Sequence, residues 1–363
     1  MKTNEQFTGI LRRFCPDSNI RSVEPFGNGH INDTLKVITD NGDGPYILQR
    51  INHHIFTDVD MLQNNIRIVT SHIRGKLLER GETDLDRKVL SFLPASDGRY
   101  YCCEGGDFWR LCRFIPRSRS YETITSQLAR QAGKAFGDFQ AMLADIPEGV
   151  LGETIPNFHN MEFRLRQFRE ALHNNIAHRA DETRALICEI ENRADAMCLQ
   201  EKLYREGQLK KRINHCDTKV NNVLFDEDGS VLCVIDLDTV MPGFVLSDIG
   251  DFIRTGANNG AEDDENLANV SLNMEIFKAY TEGYMETAQI FLTPLEIRLL
   301  PYGGRLLTYM QTVRFLTDYL NGDTYYKTHR PGHNLQRASA QFKLLESLEA
   351  HAGEMESFMN KWL

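Results

Sequence analysis

The chain has eight cysteines but no CxxC pair, no long apolar run, no basic excess and no internal repeat. Each absence closes a class. Cys15, Cys102, Cys103, Cys112, Cys188, Cys198, Cys216 and Cys233 match no zinc-ligand spacing. Most sit beside apolar residues, as in LCRF and VLCVID, where a thiol acts as a small hydrophobe, so reduced structural cysteines are expected. No stretch approaches the roughly eighteen apolar residues of a membrane span, and the opening MKTNEQFTGI lacks the apolar core of a secretion signal. The expectation is a soluble, cytoplasmic chain with no membrane contact. Lys and Arg number 41 against 51 Asp and Glu, a net charge of −10, which argues against a broad nucleic-acid surface. It leaves room for a nucleotide, because a divalent metal can bridge carboxylates to phosphate oxygens.

What is present points to two lobes. With 363 residues, 41% of them hydrophobic, the chain can fill two domains or one large domain in two parts. IRSVEPF, TLKVIT, PYILQRI, KVLSFLPA, GRYYCCE and FWRLCRFI are short apolar or alternating segments separated by Gly, Asp and Asn clusters, the pattern of a mostly antiparallel sheet. One helix interrupts them near residues 59 to 79, where Leu62, Ile66, Val69, Ile73 and Leu77 recur at three- and four-residue steps. From about residue 120 helical patterns dominate, over 160–205, 264–290, 294–320 and 334–350, with Leu128, Ala132, Phe136, Phe139 and Leu143 marking another. NNVLFD, the turn EDGS and VLCVIDLD interrupt them as a hairpin. The fold class expected is α+β and bilobal: a small antiparallel-sheet lobe over 1–116, then a larger helical lobe over 117–363. FIPRSRS marks the join, because Pro116 favours an extended connection.

Two constellations carry chemistry. INHCDTKVNN places His215, Asp217 and Asn222 at the spacing H-x-D-x-x-x-x-N, and Asp236 ends the following hairpin. A loop turning between Asp217 and Asn222 aims both side chains into one cleft, and antiparallel pairing sets Asn222 and Asp236 at one end of the hairpin. That suits phosphoryl transfer, in which positioning and charge neutralisation supply most of the rate. Asp217 would take the acceptor's proton, Asn222 and Asp236 would hold magnesium (Mg2+), and His215 would brace the loop. Asp238 either touches the metal or faces solvent. The second constellation, FGNGHINDTLKV, is a glycine-tipped hairpin whose backbone N–H groups can approach phosphates. No helix follows its glycines, which excludes a dinucleotide fingerprint, and no Walker lysine is present.

In this order the two resemble the aminoglycoside phosphotransferase-type small-molecule kinases, a kinase-like fold, and within them the N-acetylhexosamine 1-kinases. GNGHINDT, YILQRIN, INHCDTKVNNVL and VIDLDTVMPGFVLSDIGD carry the likeness nearly end to end, and RFLTDYLNGDTYY and HNLQRASAQFKLLESLE point to the sugar branch. The resemblance implies that Gly27, Asn28, Gly29, His30 and Asn32 cover the ATP phosphates. It implies that Arg113, Phe114 and Ile115 offer backbone groups to adenine, and that Asp248 ties the helical lobe together. Arg314 and Tyr325 would contact the sugar, with Arg305, Asp318 and Tyr326 as further candidates; Arg314 and Asp318, four apart, could also be a surface pair. One departure stands out: where such folds set a phosphate-binding lysine the strand offers Gln49 or Arg50, and Gln63 or Asn64 stands near the expected glutamate.

Only eleven residues separate Asp236 from Asp248, with no A-P-E segment, which leaves no room for a protein kinase's activation loop and peptide platform, so a small-molecule acceptor is expected. The expected reaction is Mg-ATP-dependent phosphorylation of C1 of N-acetylglucosamine or N-acetylgalactosamine. Kinases of an amino alcohol or homoserine, and a non-catalytic nucleotide-binding regulator, are the alternatives. Epimer preference and oligomeric state are not encoded legibly.

Overall fold

The structure is a computed structural model and describes residues 4–27, 29 and 31–363. Helix α1 (Asn4–Leu11) leads into strands β1 (Ile20–Pro25), β2 (Asp33–Thr39) and β3 (Tyr46–Ile51). Helix α2 (Val59–Glu79) and the single turn α3 (Leu85–Lys88) precede β4 (Phe92–Leu93), β5 (Cys102–Glu104), β6 (Asp107–Arg113) and β7 (Ser118–Arg119). The main sheet runs β1-β2-β3-β6-β4 with β5 also on β6, each pair antiparallel. Alternation along the strands buries Val37, Leu48, Trp109 and Leu111 in one core. Ile10, Leu11 and Phe14 from the N-terminal segment close that core; the polar opening of the sequence gave no signal for this helix. Each such buried side chain stabilises by about 1.5–3 kcal/mol. In α2 the expected stripe is buried, and the Asp58 side chain accepts the Met61 N–H at 2.9 Å, satisfying a first-turn donor. KVLSFLPA forms only two strand residues, Phe92 and Leu93; its first residue, Lys88, ends α3 and the chain turns after Leu93.

Helices α4 (Ser126–Leu143), α5 (Met161–Asn174), α6 (Arg184–Met197) and α7 (Leu199–Arg205) follow, then β8 (Arg212–Asn214), the hairpin β9 (Val223–Asp226) and β10 (Val231–Val234), and β11 (Met241–Gly243). The chain continues as α8 (Val245–Gly256), α9 (Met274–Ala288), α10 (Pro294–Leu320), α11 (His333–Ala350) and α12 (Ala352–Met359). The single pattern over 160–205 breaks where Asn175 takes a left-handed conformation and ends α5. Helix α9 starts at Met274 because the Asn273 side chain caps the Ile276 N–H. A capping box at Thr293 and Glu296, with Pro294 at the first position, starts α10. Helices α4 and α9 cross at contact distance. A Cβ on Gly133 would lie 2.1 Å from the Tyr280 carbonyl oxygen, and one on Gly283 would lie 1.9 Å from that of Arg130.

Contacts divide the chain into two compact units that are not continuous in sequence. One comprises residues up to Ser120 with Asp145–Pro156 and Val223–Met241; the other comprises Tyr121–Ala144, Asn157–Asn222 and Pro242–Leu363. In the first, β7 pairs with β9, and Arg87 donates to Asp226 at 2.8 Å, fastening the β9–β10 hairpin to that unit. Among the described residues no helix is long and apolar enough to cross a membrane. All eight cysteines are free.

Candidate active site

The loop after β8, in the second unit, is built on helix α8. The Asp248 carboxylate accepts the His215 N–H at 2.9 Å and the Cys216 N–H at 2.7 Å, and Gln140 donates to it at 2.7 Å. One turn later on the same helix, Asp251 accepts the Thr218 N–H at 2.9 Å. Two carboxylates three residues apart on α8 thus gather three loop N–H groups, and they hold Cys216 at φ +64°, a conformation that non-glycine residues adopt only at a cost near 1 kcal/mol. Burial pushes the Asp248 carboxyl up to about 6, against His215, the two loop N–H groups and Gln140, which favour its charged form. His215 is fully buried between the edges of Phe136 and Phe139, and its Nδ1 accepts the Asp217 N–H at 3.3 Å. That is a bracing position.

Asp217 is about a quarter exposed, at 27%. Asn222 Nδ2 donates to its carbonyl oxygen at 2.8 Å and to its Oδ2 at 3.0 Å. Lys219 Nζ lies 3.0 Å from Oδ1. Burial would raise the Asp217 carboxyl, but the Lys219 and His215 charges and the bonds from Lys219 and Asn222 outweigh it and leave it below the usual carboxylate range. It is therefore ionised at neutral pH and able to accept a proton. Sequence reasoning passed over Lys219; its signal was a cation two residues after the candidate base, inside the same loop.

With its amide nitrogen spent on Asp217, Asn222 keeps an Oδ1 that accepts no bond among the described residues. Val223 pairs with Val234, so Asn222 and Asp236 flank the same end of the β9–β10 hairpin, and Asp236 is left-handed at φ +61°. An amide oxygen and a carboxylate are hard donors of the kind magnesium takes, and that ion draws its other ligands from phosphate and water. The residues fit the ion. No three His, Cys, Asp or Glu among the described residues group into a complete cage.

In the first unit, β1 and β2 form the glycine hairpin, closed by Phe26 N–H to Thr34 oxygen at 2.9 Å. Gly27 has φ +73°, and nothing lies within 4 Å of a Cβ at Gly27 or Gly29. Asn28 and His30 lie outside the described residues. Asn32 accepts the Asn52 N–H at 2.9 Å and donates to Asp238, so its side chain is anchored at the hairpin base. Arg50 points outward to Asp33 and Asp107, whereas Gln49 donates to Thr34 at 3.0 Å and accepts from Arg110 Nε at 2.9 Å. The buried cation beside Gln49 is therefore Arg110, its direct partner on β6, which also grips Asp238 with both terminal nitrogens. This corrects both expectations for Asp238, which neither faces solvent nor stands clear for a metal. The signal for Arg110 was a lone charge inside the apolar strand FWRLCRFI.

Gln63, in place of the expected glutamate, is buried with no amide partner among the described residues. It lines a cavity of about 180 Å³ between α2 and the segment around Phe92, which contains none of the candidate nucleotide residues. Arg113 and Phe114 spend their N–H groups on the Ser91 and Pro45 oxygens. Of the three connector N–H groups, only that of Ile115 has no partner among the described residues, which narrows the expected adenine contacts.

The sugar candidates separate. Arg305 pairs with Glu356 at 3.2 Å and stands nine residues from Arg314 on α10, on the opposite face at 100° per residue, so it is withdrawn from the sugar contacts. Arg314 accompanies Phe158 and Tyr326, its guanidinium 5.2 and 5.6 Å from their ring centres. Tyr325 packs edge-on to Tyr326 at 4.8 Å and is mostly exposed. Asp318 is no surface partner of Arg314. It is buried and accepts the N–H groups of Thr324, Tyr325 and Tyr326 at 2.9, 2.8 and 3.0 Å.

Solved structures resemble this chain in fold. A spectinomycin phosphotransferase solved with ADP and spectinomycin is 14% identical, matched over 94% of this chain and 98% of its own, with a TM-score of 0.57. The GDP complex of aminoglycoside 2'-phosphotransferase-IIIa is also 14% identical, over 97% and 100%, at 0.57. An aminoglycoside phosphotransferase from Alicyclobacillus acidocaldarius is 14% identical, over 96% of each chain, at 0.53. At such identity these likenesses establish the fold, kinase-like with an antiparallel-sheet N-terminal lobe and a helical C-terminal lobe. The family model described as Phosphotransferase enzyme family, APH, matches residues 22–280, well over half of the sequence. The chain belongs to the phosphotransferase enzyme family.

Proposed function

We propose that the protein transfers the γ-phosphoryl group of ATP to the anomeric C1 hydroxyl of an N-acetylhexosamine, N-acetylglucosamine or N-acetylgalactosamine, giving the sugar 1-phosphate and ADP. The observation that carries this reading is the setting of Asp217: ionised, bonded to Asn222, and held on a loop whose N–H groups are fastened by Asp248 and Asp251. In the step proposed, Asp217 takes the proton of the acceptor hydroxyl, whose oxygen forms the new bond to phosphorus while the bond to the ADP oxygen breaks. An anomeric hydroxyl is more acidic than an ordinary alcohol, so a carboxylate with a low pKa suffices as base. Lys219, ion-paired to Asp217, would turn to the phosphoryl oxygens as negative charge gathers there. Asn222 and Asp236 would hold magnesium, which when bound neutralises phosphate charge. Gly27, Gly29 and the anchored Asn32 would shape the cover over the nucleotide, and the connector would meet adenine through the Ile115 N–H. Arg314, Tyr325 and Tyr326 would bound the sugar, an aromatic and hydrogen-bonding surface of the kind hydroxyl-rich ligands use. Eight free cysteines fit a reducing compartment, and we place the reaction in the cytoplasm.

The deciding experiment incubates the protein with magnesium, ATP and each hexosamine, and reads product mass and the phosphorylated position. Phosphate on C1 is expected. Asp217→Asn should lower kcat by about 10²–10⁴-fold with nucleotide binding retained; phosphate on another carbon, or unchanged turnover in that variant, would contradict the assignment.

A further inference from the structure

In the second unit most buried or half-buried arginines rest on carboxylates: Arg212 on Glu296, Arg254 on Asp251 and Glu262, Arg193 on Glu189 and Glu349. Arg164 and Arg314 do not. Arg164 donates to the Phe158 carbonyl oxygen at 2.9 Å and to Gln167 at 2.9 Å. Arg314 donates to Gln311 at 3.1 Å and otherwise lies over the rings of Phe158 and Tyr326. Neither has an acidic partner among the described residues. Both arginines meet Phe158, and His159 is stacked on that ring at 4.4 Å, with an Nδ1 that is buried and has no hydrogen-bond partner among the described residues. The charges acting on His159 are Arg314, Arg164 and Arg254, with Asp217 as the anion, so the cluster and the candidate base belong to one electrostatic neighbourhood. Burial and the Arg314 charge together lower the Arg164 guanidinium to about 10. Two uncompensated guanidiniums and an unpartnered imidazole nitrogen cost stability unless a ligand uses them.

We infer that Arg164 and Arg314, with His159 beside them, form an acceptor subsite that excludes ammonium groups and takes an acylated amine, whose amide carbonyl accepts from the guanidiniums. This rests on the acceptor class proposed above and deepens it: selection against a free amine is made by like-charge repulsion, beyond the size of the acyl group. It also distinguishes this acceptor site from one for polycationic amino sugars.

The test uses the full-length protein with magnesium and ATP and matched acceptor pairs that differ in acylation alone: glucosamine with N-acetylglucosamine, and ethanolamine with N-acetylethanolamine. Wild type should prefer the acylated member by about a hundredfold in kcat/KM. Arg164→Gln and Arg314→Gln should each cut that preference about tenfold, mainly through acceptor KM, with the KM for ATP and the melting temperature held. Arg314→Lys, which keeps the charge, should restore most of it. Two substitutions guard against one failing to fold. Inert hexosamines beside a discriminated ethanolamine pair would remove the sugar assignment and leave this inference standing. An acylated member that is never preferred, or a preference that neither Gln variant moves, would overturn it.

Discussion

Replacing Asp318 with asparagine should detach the segment that carries Tyr325 and Tyr326 while leaving nucleotide binding intact. One oxygen of Asp318 accepts the N–H groups of Thr324 and Tyr325, and the other accepts the Tyr326 N–H and Asn334 Nδ2, the last at 2.8 Å. An amide has one oxygen. Whichever way it turns, its NH2 group faces two donors, so two bonds to a charged acceptor are lost, each worth about 1.5–3 kcal/mol. Thr324 and Tyr325 are exposed, so their freed N–H groups can reach water and the global cost is smaller, about 1–2 kcal/mol. The local cost falls on the loop. With about 3 kcal/mol of anchoring gone, the ordered conformation is depopulated about 10²-fold, and the acceptor KM rises by a similar factor. Steady-state kinetics with each substrate varied in turn, together with hydrogen exchange at the Tyr325 and Tyr326 amides, reads both effects. A folded Asp318→Asn protein with unchanged acceptor KM and unchanged amide protection would refute the assignment of Asp318 as the anchor.

Other outcomes follow from other parts of the fold. Asp248 is raised to about 6, against roughly 4 in an unfolded chain, so its contribution to stability is full below pH 4 and is lost as pH rises through 6, about 3 kcal/mol in all; urea unfolding of wild type and Asp248→Asn across pH 4–7 should show their difference shrinking with rising pH, and a constant difference would contradict the burial argument. Gly133→Ala and Gly283→Ala should each cost about 1–3 kcal/mol by forcing α4 and α9 apart, whereas Gly353→Ala in α12, where a Cβ meets nothing within 4 Å, should gain about 0.5–1 kcal/mol; denaturant midpoints decide both. Arg110→Met should cost about 3–5 kcal/mol by leaving Asp238 buried without its guanidinium, and adding Asp238→Leu should recover most of it.

What the sequence made legible was local. The stripe in α2 and the Asp-Gly turn between β9 and β10 are read from neighbours within a few residues, and the structure forms both. Asp217 and Asn222 stand five apart on one loop, so their hydrogen bond needs no knowledge of tertiary packing. Asp318 was legible as a residue four positions from Arg314 and, through the resemblance, as a sugar candidate, but not as the anchor of a loop. Its partners lie beyond the end of α10, and the path of that loop decides which way the carboxylate turns. The rise in helical character near residue 120 marks a composition change, but the β9–β10 hairpin packs with the earlier segment: Val223 and Phe225 are fully buried, and Arg87 holds Asp226 from 139 residues away. Composition averages over sequence neighbours and does not register a returning hairpin.

Strand β3 lacks a lysine. Gln49 and Arg110 are direct cross-strand partners, so their side chains stand on one face of the sheet within hydrogen-bond reach. Arg110 on β6 therefore stands beside Gln49, the place on β3 where the resemblance leads one to expect a lysine. Its carboxylate partner is Asp238, 128 residues later, whereas Gln63 on α2 is neutral. The pairing keeps both buried charges satisfied, because a single buried ion without a partner costs several kcal/mol. Charge balance thus ties an arginine inside an apolar strand to a carboxylate that follows β10, with Gln49 bonded alongside, a grouping visible only once strand register is known.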